Sequence, residues 1–176
     1  MYNKGKGISF YNCEDLNGKI LRSGVNGEEG FLFYNVDYSL FSVLDAWGNK
    51  GTGFNLQDSK RVFIQQIQSN ENEANGVQIG GSSNRISIVQ GRLAKNSVIG
   101  EGLHDELVFS VSEENAEFVL YSVEFTGRSD GYRPRYAIRN AGNKICGYIT
   151  DCFFGDVSNF NQNIIAVSYT HLRAHE

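Results

Sequence analysis

The sequence predicts an all-β fold in which short parallel strands wind into a solenoid. Three observations predict it: a strand motif that recurs at a fixed interval, turn-forming residues at one place in each copy, and a composition rich in such residues. Gly occurs 20 times and Asn 18 times among the 176 residues, whereas Pro occurs once. This composition is typical of many short strands joined by tight turns and unlike that of a helical bundle.

The first strand of each repeat is the motif Gly-Φ-x-Φ, in which Φ is an apolar residue. Copies that begin with glycine start at Gly7, Gly30, Gly53 and Gly76, with equal steps between them. Two further copies start at Glu106 and Arg135, each after a longer step. Alternation with period two predicts a strand in each copy, with its apolar side chains on the inner face. The predicted inward columns are Ile8, Phe31, Phe54, Val77, Leu107 and Tyr136, and beside them Phe10, Phe33, Leu56, Ile79, Phe109 and Ile138.

A turn and a second strand complete each copy. Five residues after its start, every copy except the one that begins at Glu106 has a residue that tolerates a left-handed backbone. These residues are Asn12, Asn35, Asp58, Gly81 and Asn140. Alternating segments such as residues 40–44 and 86–88 then predict the second strand. The prediction is therefore a single-stranded parallel β-helix with about 23 residues per coil and about six to seven coils, in which each coil is stabilised by stacking on its neighbours.

Composition and charge exclude several classes of function. The net charge is −4, and no block of Lys and Arg provides a footprint for nucleic acid. No apolar run reaches the length of about 18 residues that a membrane-spanning helix needs. The three Cys lack CxxC spacing and two of the three His lie within the last six residues. We therefore expect no metal, no cofactor and no disulfide framework, and residues 1–6 contain no signal-peptide segment.

The last ten residues, VSYTHLRAHE (167–176), depart from the repeat. They resemble the translation of a transposase adapter used in sequencing libraries. We therefore expect residues 1–166 to form the β-helix and residues 167–176 to be a non-native tail. The pattern starts at residue 7 without a capping segment, and solenoids normally have capped ends. For that reason we expect residues 1–166 to be internal coils of a longer protein.

The glycine-led strands, the turn residues and linkers such as SSNRISI (82–88) resemble the right-handed parallel β-helix family of pectate-lyase-like proteins, which includes phage tailspikes. The resemblance covers residues 7–165. It implies a right-handed solenoid that is extracellular, on a cell surface or on a virion. It also implies recognition of polysaccharide or a surface glycan, often with cleavage, and a homotrimer in the phage branch. The catalytic motifs of polygalacturonase-like members are missing, since the nearest string to their Gly-His-Gly is Gly102-Leu103-His104-Asp105.

The outward positions of the first strands carry no carboxylate. Glycoside hydrolysis normally needs two carboxyl groups, so we do not expect a hydrolase site on this face. The outward residues are Ser9, Tyr11, Leu32, Tyr34, Asn55, Gln57, Gln78, Gly80, Val108, Ser110, Ala137 and Arg139. Tyr11 and Tyr34 are candidate substrate-binding residues because their rings could form a glycan platform. The alternative is that they stabilise neighbouring strands by stacking on each other.

Two loops, residues 94–105 and 127–134, lengthen adjacent coils and are the second candidate site. The candidate catalytic acids and bases are Glu101, Asp105 and Asp130. The candidate substrate-binding residues are His104, Arg128, Tyr132 and Arg133, because Tyr stacks on sugar rings and Arg binds the carboxylate of a uronate or sialate. The alternative is a pair of solvated loops joined by Asp–Arg salt bridges between coils.

Three functional hypotheses remain open from the sequence. The first is a fragment of a pectate-lyase-like β-helix protein that binds polysaccharide and, if it is an enzyme, cleaves it as a lyase or glycoside hydrolase. The second is a non-catalytic section of a phage tail fibre, tailspike or adhesin with a receptor-binding role. The third is a structural spacer. The carboxylate-free strand face favours binding or scaffolding.

Overall fold

The structure is a computed structural model that describes residues 3–129, 131–161, 165–166 and 171–175. In this part of the chain there are fifteen strands and one 3-10 helix, Val157–Asn159. The strands are β1 (Ile8–Glu14), β2 (Asn17–Gly24), β3 (Phe31–Trp47), β4 (Phe54–Gln57), β5 (Lys60–Asn70), β6 (Val77–Gly81), β7 (Asn84–Ala94), β8 (Leu107–Val111), β9 (Ala116–Tyr121), β10 (Val123–Gly127), β11 (Ile138–Asn140), β12 (Ile145–Thr150), β13 (Phe153–Phe154), β14 (Ile165–Ala166) and β15 (His171–His175). The predicted all-β class is confirmed.

Every strand pairing among the described residues is parallel, and the strands form one nearly closed sheet. The pairings arrange them in three rows. The first row contains β1, the start of β3, then β4, β6, β8, β11 and β14. The second row contains β2, the middle of β3, then β5, β7, β9, β12 and β15. The third row contains the ends of β2, β3, β5 and β7, followed by β10 and β13.

The register of the first row confirms the predicted interval between the glycine-led copies. Ile8 pairs with Phe31, Phe31 with Phe54, and Phe54 with Val77. The rings of Phe31 and Phe54 are fully buried and stacked, with centroids 4.9 Å apart. Stacking of like side chains from successive strands therefore builds the core that no single pass of the chain could bury alone.

The last copy of the motif starts at Ala137 rather than at Arg135, so the predicted register was wrong there. Leu107 pairs with Ile138, and its N–H donates to the carbonyl of Ala137. Ile138 therefore continues the column of Leu107, in the place predicted for Tyr136. The reason for the error is physical: strand alternation has period two, so a slip of two residues leaves the inward and outward pattern unchanged.

The predicted turn residues are left-handed in four of the five cases. Asn12, Asn35, Asp58 and Gly81 have φ between 52° and 62°. Asn140 does not, because the two-residue slip places it at the end of β11, where it pairs with Phe109.

The backbone of residues 171–175 forms β15 and pairs with β12 in the second row. This stretch belongs to the segment predicted to be a non-native tail. Because an open sheet edge offers its N–H and C=O groups to any extended chain, the pairing carries no information about the origin of the segment, which stays a prediction.

A ladder of buried asparagines joins the turns that follow the third row. Each member donates its backbone N–H and its side-chain N–H to the side-chain oxygen of the next. For Asn49, these bonds to Oδ1 of Asn72 are 3.1 and 2.8 Å long, and Asn72 makes the same pair of bonds, 3.1 and 2.8 Å, to Asn96. The members of this asparagine ladder are Asn26, Asn49, Asn72 and Asn96.

The ladder helps to explain why the repeat begins with glycine. A Cβ added to Gly30 would lie 2.6 Å from Nδ2 of Asn49, and one added to Gly53 would lie 2.7 Å from Nδ2 of Asn72. Those distances are well inside van der Waals contact, so a larger residue would displace the ladder side chain. The backbone carbonyl of the next leading glycine lies equally close, 2.7 Å from the added Cβ at both positions, and Oγ of Ser69 lies 2.4 Å from that of Gly53. The regular spacing of glycine therefore reflects crowding by the ladder side chains together with these neighbours.

Replacing Asn72 by Ala should lower the free energy of unfolding by about 3 kcal/mol. The change removes the acceptor for both donors of Asn49 and the donor to Asn96, and each buried polar group left without a partner costs about 1–3 kcal/mol. Urea denaturation measures the loss. The matched control is Asn17→Ala at an exposed position of β2, for which a change within about 0.5 kcal/mol is expected; equal losses in the two variants would contradict the role of the ladder.

Candidate functional site

The two long loops contact each other on adjacent passes of the chain. The N–H of Gly102 donates to the carbonyl of Arg133 at 2.9 Å, and the N–H of Arg135 donates to the carbonyl of His104 at 2.7 Å. Side chains from both loops and from β11 gather at this junction. We call this group the two-loop cluster; its members are Glu101, His104, Asp105, Arg133, Arg135 and Arg139.

Glu101 is tied to the opposite loop by several hydrogen bonds. Its Oε2 accepts from the backbone N–H of Arg133 at 2.8 Å, and its Oε1 accepts from Nε of Arg133 at 2.7 Å and from Nδ2 of Asn161 at 3.0 Å. The backbone N–H of Arg133 is the main cause that holds the pKa of Glu101 below its usual range. A carboxylate kept ionised in this way fastens the loops together and is a poor proton donor near neutral pH.

Asp105 is fully buried and is clamped by two guanidinium groups. Its oxygens accept from Nε and Nη2 of Arg135, both at 3.2 Å, and from Nε of Arg139 at 2.6 Å. The hydrogen bonds to Asp105 raise the pKa of Arg135, which keeps that side chain charged. One carboxylate balances only one of the two guanidinium groups, so the Asp105–Arg135–Arg139 group carries a surplus positive charge.

The other predicted residues lie around this clamp. His104 is half-buried, and burial is the main cause that lowers its pKa, so the ring is neutral at pH 7. The ring of Tyr132 is exposed, and the backbone N–H of Arg128 donates to the carbonyl of Asn159 at 2.9 Å. Asp130 lies outside the described residues. The structure thus brings Glu101 and Asp105 against arginines, as the salt-bridge alternative for these loops predicts.

Sequence reasoning did not single out Arg135 and Arg139 as site residues. It treated Arg135 as the start of a strand, because of the two-residue slip, and Arg139 only as one of the outward positions. Their spacing nevertheless indicated that they lie near each other at one strand, since Arg135 lies just before β11 and Arg139 lies within it. Once Ala137 is recognised as the start of the copy, the two arginines flank it on either side.

Glu106 terminates the asparagine ladder. Glu106 lies at the leading position of its copy, which Gly76 occupies in the preceding copy. Among the described residues, the ladder has no asparagine after Asn96. The carboxyl group of Glu106 takes the place of a further amide and accepts from the backbone N–H of Asn96 at 3.3 Å and from Nδ2 of Asn96. The group is fully buried, and desolvation raises the pKa of Glu106 to about 7.

The outward face of the first row leads into the two-loop cluster. At one end the exposed rings of Tyr11 and Tyr34 lie with centroids 6.1 Å apart and tilted by 45°. Amide and hydroxyl side chains follow: Gln57, whose Nε2 donates to Oδ1 of Asn55 at 2.8 Å, and Ser110 further along the row. We call this surface the polar track. Its members lie in two neighbouring columns: Tyr11, Tyr34, Gln57 and Ser110 in one, and Asn55, Gln78 and Arg139 in the other, where the buried Val108 separates Gln78 from Arg139.

No family model, curated protein or solved structure matches the chain. Among the residues that the structure describes, no three His, Cys, Asp or Glu side chains come together as a metal site would require. Over the same residues, no helix is long and apolar enough to cross a membrane.

Substituting Asn for Asp105 should lower the free energy of unfolding by about 2–3 kcal/mol, because Arg135 and Arg139 would lose their shared, buried counter-charge. The partial exposure of both arginines keeps the loss below that of a fully buried pair. Glu117→Gln is the matched control, because its ion pair with Arg85 is exposed on both sides; it should cost less than about 1 kcal/mol. Denaturant unfolding of both variants tests this, and similar losses would contradict a structural clamp.

The raised pKa of Glu106 predicts a stability that falls as the pH rises. The folded chain holds this proton up to about pH 7, whereas the unfolded chain releases it near the ordinary glutamate pKa of 4.5. The stabilisation is therefore complete below pH 4.5 and is lost progressively as the pH passes through 7, by about 3 kcal/mol at most. The free energy of unfolding, measured at pH 5 and pH 8, gives its pH dependence for the unmodified chain and for Glu106→Gln. The difference between the two pH dependences is the contribution of Glu106, because His104 is present in both chains. Equal pH dependences would contradict the raised pKa of Glu106.

Proposed function

We propose that the chain is a section of a right-handed parallel β-helix, with about 23 residues per coil and about six to seven coils, that binds an acidic polysaccharide without cleaving it. The observation that supports the binding role is the polar track, in which two exposed tyrosines begin one column and Arg139, which shares the surplus positive charge, ends the neighbouring column. Its side chains offer ring faces, amides and a guanidinium, the groups with which proteins hold sugars.

The contacts of the candidate carboxylates favour binding over cleavage. Glycoside hydrolysis uses two carboxyl groups that face the scissile bond, one of them able to give up a proton. Of the candidate carboxylates within the described residues, Glu101 is held by Arg133, and Asp105 is buried between Arg135 and Arg139. Each is committed to holding the fold together.

An acidic ligand is favoured by the charge count in the two-loop cluster. Arg133 is balanced by Glu101, while Arg135 and Arg139 share Asp105. A sugar carboxylate that approaches along the polar track would supply the missing negative charge, and a guanidinium fork matches a carboxylate in geometry. By resemblance to the β-helix family, we place the protein outside the cell, on a cell surface or on a virion, where it would meet such a glycan.

The test is calorimetric titration of the full chain with uronate-containing and neutral oligosaccharides. The acidic oligosaccharide should bind, and Tyr34→Ala should weaken binding about threefold to tenfold through loss of a stacking contact. Tyr148→Ala is the matched control, because Tyr148 is as exposed as Tyr11 but lies in the second row. Arg139→Ala should remove the preference for the acidic sugar while leaving neutral sugars unaffected.

Two results would overturn the proposal. If the unmodified chain bound no sugar in the panel, the binding role would be lost. Release of unsaturated or reducing ends from an acidic polysaccharide would replace binding by lyase or hydrolase activity, and the residues responsible would then have to be sought beyond Glu101 and Asp105.

A further inference from the structure

The corner between the third row and the first row has a hollow on its outer surface, with a volume of about 850 Å³. Ligand sites in proteins have volumes of about 300–1,000 Å³, so a small ligand fits here. The hollow lies outside the asparagine ladder, where the residues before and after the ladder asparagines form the surface. We call it the corner hollow; it is lined by residues that include Lys4, Val25, Gly27, Gly48, Lys50 and Glu73.

Gly48 leaves this corner open. The residue before each ladder asparagine is left-handed, with φ between 55° and 59° at Val25, Gly48, Glu71 and Lys95. Three of these four residues carry a side chain, so the left-handed backbone does not by itself require glycine. A Cβ added to Gly48 would have one neighbour within 4 Å, Cγ2 of Val25 at 3.8 Å. The hollow therefore exists because one pass of the chain lacks the side chain that the other three have.

Gly27 forms the floor between two lysines. A Cβ at Gly27 would lie 2.3 Å from the carbonyl oxygen of Lys4, so this position accepts only glycine. Its N–H donates to the carbonyl of Asn3 at 2.8 Å, and the N–H of Lys50 donates in the same way to the carbonyl of Asn26 at 3.0 Å. Lys4, Gly27 and Lys50 therefore occupy equivalent positions on three successive passes, with bare backbone in the middle.

The two lysines give the hollow a surplus positive charge. Both side chains are exposed, and neither belongs to an ion pair among the described residues. Glu73 is the one acidic residue in the lining, so two lysines against one glutamate leave one positive charge in excess. The backbones of Lys4 and Lys50 lie two strand spacings apart, about 10 Å. Their long, flexible side chains can converge on one anion above Gly27.

Trp47 borders the hollow with an exposed ring. A Cβ added to Gly24 would lie 2.2, 2.5 and 2.6 Å from three atoms of the indole, so one face of the ring covers Gly24. The side chain is nevertheless 41% exposed, which leaves the opposite face open to a ligand. Gly24 and Trp47 immediately precede Val25 and Gly48, which line the hollow. A ring bound in the hollow would thus meet the indole.

We propose that the corner hollow binds a sugar that carries a phosphate or sulfate ester. The tetrahedral anion lies above Gly27 between Lys4 and Lys50, which act as point charges, while the sugar ring stacks on Trp47. Glu73 accepts hydrogen bonds from hydroxyl groups of the sugar. A planar carboxylate is matched by the fork of an arginine, and none is among the described residues that line the hollow. The site is separate from the polar track and does not rest on its binding of uronates.

Trp47 supplies the measurement, because it is the only tryptophan of the chain and its fluorescence reports on this hollow alone. Titration of the full chain with glucose 6-phosphate or glucose 6-sulfate should change the emission in a saturable way, and comparison of the two esters identifies the preferred anion. Glucose, glucuronate and inorganic phosphate should each bind at least about tenfold more weakly. A chain that responded to neither ester, or bound any of these three equally well, would overturn the proposal.

A lysine variant tests the charge contact. Lys50→Ala should weaken binding of the preferred ester about tenfold, because one of two charge-assisted contacts is lost. The matched control is Lys19→Ala, which removes an exposed lysine of β2 outside the hollow and should leave the affinity unchanged. Tyr34→Ala should also leave it unchanged, so failure of this site and failure of the polar track are distinguishable. Equal effects of the two lysine variants would refute the assignment.

A glycine variant tests the hollow itself. Gly48→Val adds the side chain that Val25 has at the equivalent position, and it should weaken ester binding, measured by calorimetry, more than about tenfold by filling the space. Glu71→Val is the matched control, because it places valine at the next left-handed position, outside the lining of the hollow. Urea denaturation confirms that both variants fold. Unchanged binding in folded Gly48→Val would show that the ligand lies elsewhere and would overturn the proposal.

Discussion

The double hydrogen bond between successive buried asparagines is the constraint on which the rest of the structure depends. Each Oδ1 accepts from the backbone and from the side chain of the preceding ladder residue, so the turn after the third row can vary neither in length nor in conformation without leaving buried donors unpaired. As long as the ladder continues, each pass of the chain takes about the same number of residues, the leading position of the first strand is glycine, and the phenylalanine rings remain in register for stacking.

Where the ladder stops, the interval changes. Among the described residues, Asn96 is the last asparagine of the ladder, and its donors meet the carboxyl group of Glu106 instead of another amide. From this point the intervals in the first row, from Val77 to Leu107 and from Leu107 to Ile138, are longer than those before it. A turn that is no longer hydrogen-bonded to a ladder asparagine is free to lengthen. The long loops then need other interactions to hold them in place. The Glu101–Arg133 bonds and the Asp105 clamp provide these interactions. Two of the three candidate catalytic carboxylates, Glu101 and Asp105, thus hold the loops together, and the third, Asp130, lies outside the described residues.

Much of the fold could be predicted from the sequence because, in a repeat, the spacing of residue types follows the geometry of each pass of the chain. The interval between Gly30 and Gly53, the left-handed Asn35 and the inward Phe31 all followed from local chemistry. The register of the last copy did not, since period-two alternation cannot distinguish Arg135 from Ala137 as its start. The ion pairs of the loops were foreseen only as an alternative, because their partners are chosen by loop conformation, which no periodic pattern specifies.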